Sequence, residues 1–247
     1  KNLSVTYLSI GNADCTHIET PDGSSILIDA GVENPYNHSN STRVVPYLKY
    51  KRTGDIDLLV LTSDASKDFR VLKNLTDNFT VHKVIFDNTE GLGIDAENLL
   101  AEHKIQYTDI RDVDKISGFG NVRIFFLKSP AVKSFIVKLI YGNTSFLFPG
   151  RSEKESEAEF IKVYNELLKS DILKAAKYGS DKSTSQEFLK AVKPNACVVT
   201  ASGSGAQNLP SRNTLERIRN EGIRIIRTDL YNAVTFESDG RSIILKR

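Results

Sequence analysis

Leu58-Leu59-Val60-Leu61-Thr62-Ser63-Asp64-Ala65-Ser66-Lys67-Asp68-Phe69 is the stretch on which the reading of this chain turns. Four apolar residues in succession run up to Thr62, and a polar loop follows at once. A run with no polar alternation is expected of a strand covered on both faces, as parallel strands inside α/β folds are. The loop would then lie at the strand's C-terminal edge, where sheet-based sites form.

Outward from this stretch the pattern alternates. Upstream, residues 4–10, 16–19 and 26–28 read as strands, with Pro21-Asp22-Gly23 as a tight turn that uses the fixed φ of proline and the free φ of glycine. Residues 34–42 read as a polar surface loop. Residues 44–50 read as a helix with Lys49, Lys51 and Arg52 at its C-terminal end, where cations suit the dipole. Downstream, residues 69–78 read as a helix capped by Ser66 or Asp68, residues 81–87 as a strand, residues 95–103 as a helix capped by Asp95, and residues 105–109 as a short strand.

The second half repeats the alternation. Strands are expected at 122–127, 135–140 and 145–148, with Tyr141-Gly142-Asn143 as the turn between the last two. A helix over 152–168 opens on a Ser152/Glu155 capping box, a strand covers 172–176, and a helix over 183–192 stops before Pro194. A strand at 196–200, a helix at 213–220 broken by Gly222, and strands at 223–227, 234–236 and 242–245 around Asp239-Gly240 complete the chain. With no low-complexity linker between the halves, the expectation is one domain over residues 1–247, of class α/β (α+β), built as a four-layer αββα sandwich.

The order of these motifs resembles the metallo-β-lactamase superfamily, most closely the soluble domain of the ComEC-like DNA-uptake proteins. Gly11, Asp14, Pro21, Asp22, Gly23, Ile28, Asp29, Ala30 and Gly31 match that family's opening turn, hairpin and strand end, with Ala13 in place of a second glycine. Gly150, Gly179, Ser180 and Pro210 match later positions that define its loops, so the resemblance runs from Val5 to Leu245. It implies a fold that carries out metal-dependent phosphodiester hydrolysis tied to DNA uptake. It also implies that Asp29 braces the metal-binding loop rather than binding metal.

The same resemblance exposes what has changed. A binuclear site needs His and carboxylate donors on several loops, because each metal takes three or four. The family's strand-end motif is Thr-His-x-His/Asp-x-Asp-His. Ser63, Ala65, Lys67 and Asp68 stand on its ligand positions, and three of the four cannot serve as the ligands used there. Its Thr-Gly-Asp turn is Pro149-Gly150-Arg151, its His-His-Gly-Ser is Lys177-Tyr178-Gly179-Ser180, and its terminal His-Pro is Leu209-Pro210.

The replacements share a sign. Lys67, Arg151 and Lys177 fall where the family gathers one pocket, together with Asp14, Asp29, Asp64 and Asp68. In one reading the cations form a salt-bridged plug, since unpaired buried carboxylates are costly; Arg151→Ala would then cost about 1–3 kcal/mol. In a second reading the pocket, with Tyr178, grips a phosphate-containing ligand or nucleic acid without cutting it. The expectation is therefore a pseudoenzyme with no catalytic residues, no bound metal and no cofactor, acting in binding or scaffolding. The alternative keeps a metal-dependent hydrolase, using zinc or manganese on an atypical site built from Asp14, Asp29, Asp64 and Asp68.

Composition sets wider bounds. At 247 residues and 40% hydrophobic the chain can bury a large core, and a net charge of +2 is too balanced to select a nucleic-acid or membrane partner alone. No apolar run approaches the roughly 20 residues that a membrane span requires, and no signal peptide is visible. The chain opens on Lys1 rather than Met, which is expected of an excised or processed piece. Cys15 and Cys197 are too few for a disulfide framework and read as one bridge or two buried thiols. Acceptor triplets at Asn2, Asn37, Asn40, Asn74, Asn78 and Asn143 favour an extracytoplasmic or secreted location over a cytoplasmic one. His17, His38, His82 and His103 show no ligand spacing, Ser180 has no partner base in sequence, and the Gly- and Ser-rich residues 201–205 lack phosphate-loop spacing.

Overall fold

A computed structural model of the chain describes residues 1–11, 13–31, 43–62, 65–90, 92–202 and 209–246, with the backbone alone at 65–68. In chain order its strands are β1 (Leu3–Tyr7), β2 (Cys15–Glu19), β3 (Ser25–Ala30), β4 (Asp55–Ile56), β5 (Leu58–Leu61), β6 (Thr80–Val81), β7 (Lys83–Phe86), β8 (Gln106–Asp109), β9 (Lys115–Phe119), β10 (Val122–Lys128), β11 (Phe135–Tyr141), β12 (Thr144–Phe148), β13 (Ile172–Lys174), β14 (Ala196–Val199), β15 (Arg224–Arg227), β16 (Val234–Ser238) and β17 (Ile243–Lys246). The helices are α1 (Val44–Tyr50), α2 (Ala65–Thr76), α3 (Ile94–Glu102), α4 (Lys154–Tyr164), α5 (Gln186–Val192), α6 (Arg212–Asn220) and the single turn α7 (Thr228–Tyr231).

Two large sheets face each other. One has the order β17-β16-β1-β2-β3-β5-β7-β8 and the other β15-β14-β13-β12-β11-β10-β9, with β4 and β6 paired apart. In the first sheet β3, β5, β7 and β8 run parallel, and in the second β12 to β15 do. The parallel strands need covered faces, and the alternation of side chains along them shows how each is covered. Leu58 and Val60 of β5 join a core between the sheets, while Leu59 and Leu61 join a second core under α1, α2 and α3. Across the sandwich Ala196 and Val198 of β14 point into the inter-sheet core, and Cys197 and Val199 into a third core under α4, α5 and α6. Three cores separate four layers, the expected αββα sandwich.

Several expected boundaries move. The helix expected over 69–78 begins at Ala65, so Ser66 and Asp68 lie inside α2 rather than at its cap, and most of the expected polar loop is helical. The Ser152/Glu155 box does not cap α4: Glu153 is its N-cap residue, and the buried Ser152 hydroxyl has no hydrogen-bond partner among the described residues. That helix stops at Tyr164 because Asn165 turns to φ 39°, and a 3₁₀ turn takes the rest. Gly93 rather than Asp95 caps α3. Cys15 and Cys197 are both free and buried, which decides for two thiols, and burial pushes the Cys197 thiol up to about 12. The expected loop 34–42, His38, Asn37 and Asn40 lie outside the described residues, as do positions 203–205 of the Gly- and Ser-rich stretch.

Candidate functional site

The C-terminal ends of the parallel strands of both sheets meet at one edge, and particular contacts fix the meeting. In β3 the pairing with β2 passes from Cys15–Ala30 to Thr16–Ile28, leaving Asp29 as a bulge at φ 54°. A bulge re-aims a side chain. Here it sends the carboxylate to the end of β5, where Oδ1 accepts the Thr62 backbone N–H at 2.8 Å and Oδ2 accepts the Thr62 hydroxyl at 2.7 Å. Gly150, which follows β12 and has φ 56°, lies against the same threonine; a Cβ on it would come within 3.3 Å of Thr62 Oγ1. The first sheet's β5 and the second sheet's β12 are thus joined at Thr62 and Gly150.

Asp14 makes the second junction. Its Oδ1 accepts Lys174 Nζ at 2.8 Å and the Thr200 hydroxyl at 2.7 Å, so the loop before β2 is tied to the ends of β13 and β14. Both members of the ion pair are buried. Lys174 also donates to the Ala175 carbonyl at 3.2 Å and lies 5.9 Å from the centre of the Tyr178 ring. Sequence reading missed this lysine. The signal was a lone cation at the end of the apolar strand Ile172-Leu173-Lys174, which needs a buried partner.

The turn after β13 is the most constrained backbone of the edge. Lys177, Tyr178 and Gly179 take φ of 46°, 59° and 77° in succession, conformations that cost non-glycine residues energy unless their surroundings hold them. The holding contacts are present. Lys177 N–H donates to the Gly150 carbonyl at 3.2 Å, and Ser211 N–H donates to the Gly179 carbonyl at 2.9 Å. A Cβ on Gly179 would sit 2.8 Å from Pro210 and 3.0 Å from Val199, so only glycine fits. Further along, buried Glu157 accepts the backbone N–H groups of Thr184 and Ser185 at 2.5 and 2.8 Å, and Arg217 ties down the carbonyls of Asp181, Ser183 and Thr184. Burial raises the Glu157 carboxyl above its ordinary range, although the two N–H groups oppose that shift.

Of the ten residues expected at the site, five are described to the side chain. Asp14 and Asp29 sit at the edge but answer to Lys174 and Thr62. Lys177 pairs with Glu153 rather than with either aspartate, and its hydrogen bond and charge hold the Glu153 carboxyl below its ordinary range. Tyr178 is half-buried beside Lys174. Arg151 is exposed, so the cost of baring a buried charge, on which the expected 1–3 kcal/mol for Arg151→Ala rested, does not apply to it. Ser63 and Asp64 lie outside the described residues, as do the side chains of Ala65, Lys67 and Asp68.

The donor set can be tested against a metal pair. Asp29 has both oxygens engaged by Thr62, and Asp14 shares one with a lysine and a threonine. Of the described histidines, His17 is buried with Nε2 2.9 Å from the Ser25 hydroxyl, and His82 pairs with Asp55 at 2.9 Å. Among the described residues no three His, Cys, Asp or Glu side chains are grouped to hold an ion. The described donors do not fit a two-metal centre.

Comparison with solved structures decides the fold. The structure is similar to that of the metallo-β-lactamase fold protein YhfI from Bacillus subtilis, with a TM-score of 0.62 at 11% identity over 96% of this chain and 100% of that one. This is a metallo-β-lactamase fold. It is also similar to CmlA, a diiron β-hydroxylase from Streptomyces venezuelae (TM-score 0.61, 15% identity, 95% of this chain and 54% of that one). A diphosphatase of the PhnP family is similar too (TM-score 0.54, 14% identity, 95% and 86%). By sequence, the chain is similar to two competence proteins. ComE operon protein 3 of Bacillus subtilis strain 168 is 22% identical over 259 residues, 96% of this chain and 33% of that protein. Competence protein ComA of Neisseria gonorrhoeae is 31% identical over 104 residues, 42% of this chain and 15% of that protein. The chain thus spans a third or less of the length of these relatives. No family model matches it.

Proposed function

We propose that this chain is a metal-independent binding domain of a competence-type protein, a pseudoenzyme of the metallo-β-lactamase fold that holds a nucleic-acid strand by its phosphates. The observation that carries the first half is the engagement of Asp14 and Asp29 by protein donors, which removes two of the four carboxylates an atypical metal site would use. The second half rests on what stands beside them. Arg151 is exposed next to the Gly150 carbonyl that receives Lys177 N–H, and Tyr178 follows on the same turn. A guanidinium grips phosphate oxygens in pairs, an ammonium acts as a point charge, and an aromatic ring offers a base a stacking face.

The competence relatives favour nucleic acid as the ligand, and the asparagine acceptor triplets favour a place outside the cytoplasm. Residues 1–247 form one domain on this reading, so denaturant should unfold them in a single transition. A fluorescently labelled oligothymidylate should bind with affinity that falls steeply as salt rises, because each phosphate contact releases counterions. Binding should be the same in chelator and in manganese, with the oligonucleotide intact in both. Absence of binding at low salt would remove the nucleic-acid reading and leave a scaffolding domain. Cleavage that needs manganese would restore the hydrolase alternative.

A further inference from the structure

The two sheets also have free edges. Among the described residues β15 ends one sheet and β17 ends the other, on the same side of the sandwich, and the inter-sheet core reaches solvent between them. A cleft of about 470 Å³ opens there. Its walls are largely aliphatic, from Ile226 of β15 to Val234 of β16 and Leu245 of β17, with Ala233 and Tyr231 at the mouth. Tyr231, which lines the cleft, and Leu230 beside it in α7 also stand exposed. A volume of several hundred Å³ with apolar walls and a few placed polar groups is the usual form of a small-molecule site.

The charge at the rim identifies the ligand class. Arg224 lines the cleft, is exposed, and makes no ion pair among the described residues. Lys246 lines it as well and shares its charge with Glu237 at 3.1 Å. An aliphatic slot with cations at its rim complements an apolar chain that ends in an anion. A cationic amphiphile would meet Arg224 unfavourably, and a polyanion without a chain would leave the slot empty. We propose that this cleft binds a single-chain aliphatic carboxylate, the chain lying between the sheet edges and the carboxylate against Arg224. The site lies apart from the strand-end edge of Thr62 and Gly150, so it does not depend on the nucleic-acid reading.

Calorimetric titration of the chain with octanoate, decanoate and dodecanoate, each below its micelle concentration, tests the assignment. Affinity should rise with length by up to about fourfold per added methylene, the value for a methylene removed fully from water. Dodecyltrimethylammonium, with the same chain and the opposite head, should bind at least about tenfold more weakly than dodecanoate. Ala233→Trp places an indole in the mouth from an exposed position and should abolish dodecanoate binding with the fold intact by circular dichroism. Arg224→Glu should cancel the preference for the anion while the chain-length dependence remains. No heat with dodecanoate, equal binding of both head groups, or full binding to Ala233→Trp would each overturn the proposal.

Discussion

Lys174 and Asp14 meet at 2.8 Å between the two sheets, and Thr200 donates to the same carboxylate oxygen at 2.7 Å. The pair joins three segments far apart in sequence and is buried on both sides. Removing one member leaves the other charge dry and unpaired, which costs more than the pair contributes. Lys174→Met should lower stability by about 3–5 kcal/mol in a urea titration. Asp14→Asn combined with Lys174→Met should cost less than the two single changes added, by about 1–3 kcal/mol. Additive losses would mean that the two groups are solvated separately.

Asp29 and Thr62 form the second junction, and here the two sides can be weighed separately. Thr62→Val removes one hydroxyl donor and keeps the backbone N–H bond, so about 1 kcal/mol is expected. Asp29→Ala strips the partner from both Thr62 donors and puts alanine at φ 54°, a left-handed conformation. About 2–4 kcal/mol is expected there, and Asn at that position should cost less because it tolerates the conformation. Equal losses for Thr62→Val and Asp29→Ala would show that Asp29 does not brace the end of β5.

These junctions show what could be read from the chain and what could not. β5 was legible because a strand covered on both faces has to be apolar at each position, and α1 because its apolar stripe and closing cations agree. The resemblance implies a bracing role for Asp29, and the bulge turns its carboxylate onto Thr62 at the end of β5. Lys174 was passed over because its partner is 160 residues away and no local pattern announces it. The start of α2 was missed because Ser66 and Asp68 look like caps, and capping residues do not say whether the helix already began upstream. The pairing of Lys177 with Glu153 depends on two turns folding against each other, which charge patterning alone does not encode.

The buried His17 gives the chain a distinct acid response. Burial holds its imidazole down from 6.5 to about 4, so the folded protein keeps it neutral over a range in which the unfolded chain takes up a proton. Its contribution is fully present above pH 6.5 and is lost as the pH falls toward 4, a change of about 3 kcal/mol. Glu157 acts in the opposite sense, because its raised carboxyl lets the folded form bind a proton first. Comparing the pH profile of stability with that of His17→Gln isolates the histidine. The variant should lose the fall between pH 6.5 and 4, and parallel profiles would place His17 in contact with solvent.

The strand-end edge yields a prediction whose sign is informative. Arg151 is exposed, so Arg151→Ala should change stability by no more than about 0.5 kcal/mol. In oligothymidylate binding it should weaken affinity and reduce the salt slope by about one. Lys177→Asn should weaken binding more than Arg151→Ala. It removes a cation and also leaves Glu153 as a bare negative charge on the same face, while asparagine still accepts the turn's positive φ. Glu153→Gln is the discriminating change. If Lys177 is held back from phosphate only by Glu153, the neutral variant should bind about two- to fivefold more tightly, the range an exposed ion pair accounts for. Tighter binding that vanishes when Lys177→Asn is added would assign the effect to that lysine. Unchanged binding in Glu153→Gln would remove Lys177 from the interface and leave Arg151 as the phosphate contact there.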